Sequence, residues 1–100
     1  MNLILTTIAR EKERINYMLT KYREEYVRLP KGSISEKRAG DKTYYYLKYR
    51  DGKKVISQYI PKSQIEEIRT QIEKRKHIEI MLKALQEELA IANRVLEEET

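Results

Sequence analysis

Apolar residues in the first quarter of the chain recur at helical spacing. Ile8, Ile15, Tyr22 and Leu29 repeat every seven positions, and Met18, Leu19 and Tyr26 widen that stripe toward a period of 3.6. Arg10, Glu11, Glu13, Arg14, Arg23 and Glu24 fall mainly on the opposite side. No Gly or Pro interrupts the run. The pattern predicts a helix over residues 3–28. Pro30 and Gly32 end it, because proline disfavours helix in the residue before it and glycine tolerates the exit turn.

The period then changes from 3.6 to 2. Gly32 to Arg38 reads as a short strand and Ala39-Gly40-Asp41 as a turn. Thr43-Tyr44-Tyr45-Tyr46-Leu47-Lys48-Tyr49 is a strong strand, since β-branched and aromatic side chains suit a pleated surface. Asp51-Gly52 reads as a two-residue hairpin turn, and Lys53 to Ile60 as the return strand. An antiparallel sheet of two or three strands is therefore expected over residues 32–60.

A second helix is expected over residues 64–98. Ser63 followed by Glu66 has the spacing of a capping box, in which each side chain satisfies a backbone N–H near the helix start. Ile65, Ile68 and Ile72 form one apolar stripe. Ile78, Leu82, Leu85, Leu89, Ala92 and Leu96 form another, out of phase with the first around Arg75–Glu79. Such a shift marks either a local adjustment of supercoil or a change of partner from sheet to helix. At 1.5 Å per residue the two helices span roughly 39 Å and 52 Å. Paired antiparallel in coiled-coil fashion, they leave turns of the second without a helical partner. Two outcomes are open: a homodimer through Ile8, Ile15, Tyr22, Ile78, Leu82, Leu85, Leu89 and Leu96, which we take as the expectation, or packing of the extra turns on the sheet of the same chain. The fold class is α+β, as a single domain.

The Asp51-Gly52 turn places Tyr44, Tyr46, Lys48 and Arg50 on one face of the hairpin, opposite Tyr59, Ser57, Val55 and Lys53. Tyr45, Leu47 and Tyr49 lie on the other face with Gln58, Ile56 and Lys54. The face with Leu47, Ile56, Tyr45, Ile60 and Ile34 is the more apolar and is expected to pack on the helices. Ser33, Ser35 and Lys37 extend the other face if the first strand joins the sheet.

Charge sharpens that division. Net charge is +5, but residues 29–62 carry nine Lys/Arg against three Asp/Glu. The segment before them stands at +2 and the segment after at −3. All eight Tyr lie between positions 17 and 59. Lys37, Tyr44, Tyr46, Lys48, Arg50, Lys53 and Tyr59 thus form a candidate nucleic-acid surface. Cations neutralise phosphates and aromatic rings stack on bases. The same residue types also line ordinary exposed sheets for solubility and edge protection.

Other chemistry finds few residues to use. The chain has no Cys, so thiol catalysis, disulfides and cysteine-ligated metals are excluded, and a cytoplasmic setting is expected. Met1 to Leu5 lacks a positive leader region, and no apolar stretch is long enough to span a membrane. His77 is the one histidine, a solvated helix residue rather than a ligand. Glu87-Glu88 and Glu97-Glu98-Glu99 are adjacent on a helix and so do not face each other. Three glycines supply no phosphate loop. Neither catalysis, a cofactor, a metal nor a small-molecule substrate is expected.

Two resemblances follow from these residues. Lys31-Gly32-Ser33-Ile34, the Tyr44-Tyr45-Tyr46-Leu47 strand, the basic return, and Pro61-Lys62 before a charged helix resemble a family of small uncharacterised bacterial and phage proteins. That similarity covers residues 31–85 and implies a mobile-element or phage context. Residues 33–75 are similar to the arm-type DNA-binding domain of tyrosine recombinases, whose sheet enters the major groove. By position, that similarity implies DNA contact by Tyr44, Tyr46, Lys48, Arg50 and Lys53. The first helix has no counterpart there. Two functions are compatible with the whole pattern: a DNA-binding protein using the outer sheet face, or a protein-interaction scaffold dimerising through its helices.

Overall fold

The computed structural model describes residues 2–98. Helix α1 spans Leu3–Arg28, strands β1, β2 and β3 span Ser33–Ala39, Lys42–Asp51 and Lys54–Ile60, and helix α2 spans Ile65–Glu98. The class is α+β, as expected, and α1 and α2 pack against each other. Asn2 starts α1: its Oδ1 accepts from the backbone N–H of Ile4 at 2.9 Å and of Leu5 at 3.3 Å. Asparagine is among the favoured caps because it satisfies N–H groups that have no partner within the helix.

The expected capping box does not form the start of α2. A single 3₁₀ turn, Lys62–Gln64, precedes the helix, with Pro61 in the cap position and no side-chain cap. Ser63 therefore lies inside the turn. The Gln64 N–H closes it by donating to the Pro61 carbonyl at 2.9 Å. Proline's fixed φ, here −59°, suits that position.

The three strands form one antiparallel sheet in the order β1-β2-β3. Both hairpins turn over two residues, Gly40-Asp41 and Gly52-Lys53. This corrects the Asp51-Gly52 turn: Asp51 is the last strand residue and pairs with Lys54. The reason lies in φ. Gly40 and Gly52 stand at +64° and +62°, and among the described residues no non-glycine has positive φ. Glycine first with an ordinary residue second fits a type II′ turn, whereas Asp51-Gly52 as a type I′ turn would require positive φ at the aspartate. Every partner moves by two positions. Tyr59 lies opposite Tyr46 rather than Tyr44, Ser57 opposite Lys48, and Val55 opposite Arg50. The faces otherwise survive, with only Lys53 leaving its face for the turn, because side chains alternate with a period of two.

The chain divides into two compact units. Leu29–Lys76 holds the sheet and the first turns of α2. Leu47, Ile60, Ile65 and Ile72 are buried together there, with Ile34, Tyr45, Tyr49 and Ile68 packed around them. The other unit pairs α1 with α2 from His77 onward. Ile15, Leu19 and Leu85 form its core, with Met18, Tyr22, Leu82 and Leu89 against them, and Ile78 is also fully buried. Ile8 and Leu96 are half-buried. The phase break in α2 is thus a change of partner, from sheet to α1. The extra turns of α2 lie on the sheet of the same chain, which was the alternative to the surplus-length argument for a second copy. Glu99 of the C-terminal glutamate run lies outside the described residues.

Candidate nucleic-acid interface

The outer face of the sheet is defined by the odd positions of β1 and β3 and the even positions of β2. Leu47 and Ile60 on the opposite face are buried, at 7% and 2% exposure. Lys37, Lys48 and Arg50 are exposed on the outer face. Tyr59 lies across from Tyr46, and Lys37 across from Tyr44. The Tyr59 ring sits 5.9 Å from that of Tyr46, edge to face, and 6.5 Å from that of Tyr44, tilted. Such aromatic pairs contribute about 0.5–1.5 kcal/mol beyond their burial. The cluster holds three rings together in front of solvent, with Tyr59 still 54% exposed.

Six of the seven expected residues therefore share one surface. Lys53 does not join them on a strand: it occupies the second position of the β2–β3 turn. Lys42 was missed. It is the first residue of β2 and exposed, opposite Ala39. Stepping back two residues from Tyr44 would have found it, had the strand not been started at Thr43.

Charge is segregated across the sheet. Lys37, Lys42, Lys48 and Arg50 lie on the outer face, and no carboxylate shares its strand positions. Glu36 and Asp51 fall on the other face, beside Arg38 and Lys54. With no neighbouring anion to neutralise them, four cations set a positive potential over the tyrosines. Serines 33 and 57 flank Lys48, and Ser35 lies beside Tyr46.

The helical unit carries a different feature. A groove of about 260 Å³ is lined by Ile8, Glu11, Ile15, Glu88, Ile91, Ala92 and Val95. Glu11 accepts a hydrogen bond from Arg14, which holds its carboxyl below the usual range and keeps that rim charged. Among the described residues no three of His, Cys, Asp or Glu are grouped as metal ligands would be, and no helix is long and apolar enough to cross a membrane. His77 is exposed on α2.

No curated protein and no solved structure matches the chain. One family model does match, and its range takes in almost all of α1, the whole sheet and the first turns of α2. The candidate face lies wholly within it. Through that match over residues 4–70, the chain belongs to the family described as "Domain of unknown function (DUF6788)".

Proposed function

We propose that the protein is a non-enzymatic nucleic-acid-binding protein whose contact surface is the outer face of the sheet. One observation carries this reading: four cations and three clustered tyrosines share a face on which no strand position is acidic. Lysine and arginine neutralise phosphates and release counterions, and this is the sequence-independent part of nucleic-acid affinity. Tyrosine supplies flat surface for bases or sugars. The similarity of residues 33–75 to the arm-type domain of tyrosine recombinases supports the same face, and a mobile-element or phage setting belongs to this reading.

The test is an electrophoretic shift series with duplex and single-stranded probes at two salt concentrations. Lys48→Ala and Arg50→Ala are expected to weaken binding across all sequences. Each should reduce the slope of log affinity against log salt by about 0.7–0.9. Purified protein that shifts neither probe at low salt refutes the reading.

A second reading is favoured by the groove beside Ile91, a residue 55% exposed. On that reading the protein is a scaffold whose helices join a second copy through Ile8, Ile91 and Val95. A strictly monomeric mass in solution refutes it.

A further inference from the structure

Beside the tyrosine cluster the sheet is hollowed. A depression of about 360 Å³ is lined by Ser35, Glu36, Lys37, Tyr46, Lys48 and Ser57. Its origin is in the strand pairing. Ser35 and Ser57 come from the two strands that flank β2, next to Tyr46 and Lys48. Short side chains on either side of a strand bearing long ones leave a trough, and Tyr46 with Tyr59 raises one wall. The volume falls in the range of small-ligand sites, roughly 300–1,000 Å³.

The lining selects among ligands. A phosphate presents only acceptors, and so leaves the accepting side of the two serine hydroxyls unused. The edge of a nucleobase presents both donors and acceptors. The Ser35 and Ser57 hydroxyls each donate and accept, the two ammonium groups donate, and an aromatic wall offers a stacking surface. Phosphates have their own path. Lys42, Lys48 and Arg50 lie along β2 on both sides of Tyr44 and Tyr46, spanning about 27 Å at about 3.4 Å per residue. A duplex keeps its bases stacked and paired, and so has none to place in the depression.

We propose that this face takes a single-stranded polynucleotide, with one unstacked base in the depression beside Tyr46 and backbone phosphates on Lys42, Lys48 and Arg50. The inference rests on the nucleic-acid reading above and deepens it to a strand type.

The test is fluorescence anisotropy of the full chain with labelled oligo(dT), oligo(U) and a mixed-sequence duplex, each about a dozen residues long, within the ~4–16 that single-strand sites cover. At least one single strand is expected to bind about tenfold more tightly than the duplex. Its affinity should fall about twentyfold between about 50 and 200 mM salt, as three phosphate contacts on a single strand require. Ser57→Leu fills the trough at an exposed position. It should remove the single-strand preference. Tyr46→Ala should cost the single strand about tenfold or more, and Tyr46→Phe, which keeps the ring, should restore it. Duplex binding as tight as single-strand binding, or a Ser57→Leu variant with the preference intact, overturns the inference and leaves nucleic-acid binding standing. Absence of binding to all three probes at low salt overturns both.

Discussion

Gly32 shows how much can rest on one missing side chain. Its φ is +109°, and a Cβ added there would lie 2.2 Å from the Lys48 carbonyl oxygen and 2.9 Å from the Tyr49 Cβ. Gly40 shares a positive φ, +64°, but a Cβ there meets nothing within 4 Å. The two glycines therefore separate conformational strain from close approach. Gly40→Ala is expected to cost about 1–2 kcal/mol, the left-handed penalty alone. Gly32→Ala should cost about 3 kcal/mol, because the backbone of β2 must also give way. Urea midpoints of the two variants decide it; equal costs would mean that the approach to Lys48 is not tight. Lys31, just before Gly32, places its ammonium 5.9 Å from the Tyr49 ring centre, so this corner is held by a cation–π contact as well.

Among the elements, β2 is decisive because it is the central strand and its two sides do different work. Leu47 is 7% exposed within the sheet core, while Val55, on the outer face of β3, is 64% exposed. Leu47→Ala is expected to destabilise by about 2–5 kcal/mol, through lost burial and the cavity left behind. Val55→Ala should stay within about 0.5 kcal/mol. Thermal or denaturant unfolding reads both, and a large effect at Val55 would contradict the assignment of faces. Helix α2 is also divided, along its length rather than across it. Ile65 and Ile72 serve the sheet, and Leu82, Leu85 and Leu89 serve α1. Just before the break, Arg75 donates from Nη1 to the Leu29 carbonyl at 2.6 Å, supplying a partner to a backbone group just past the end of α1.

For the whole molecule, charge is distributed by segment. The sheet block carries nine basic and three acidic residues, and the segment from Ser63 carries six and nine. A polyanion is drawn to the first and repelled by the second. Titrating the labelled protein with oligonucleotide should therefore move the amide resonances of Lys37, Lys42–Arg50, Ser57 and Tyr59. Those of Ile78–Leu89 should stay in place. Shifts centred on α2 would show that the contact lies on the helices and would overturn its assignment to the sheet.

The order of elements, the presence of a hairpin and the membership of its two faces were all legible in the residues. These properties are local. Periods of 3.6 and 2 are set by each segment's own geometry, and the faces tolerate a pairing error of two positions. The turn at Gly52-Lys53 was not legible, because Asp-Gly suits a hairpin equally well and only the paired strands choose between the two. Nor were the contact between Gly32 and Lys48 or the trough between Ser35 and Ser57, each of which needs a neighbouring strand in register. The phase break in α2 could be seen, but its cause could not. Whether an apolar stripe meets a sheet, a helix or a second chain depends on contacts between residues far apart in sequence. The basic, tyrosine-bearing face was thus written along the chain, and tertiary structure decided which of its residues stand together and what space lies between them.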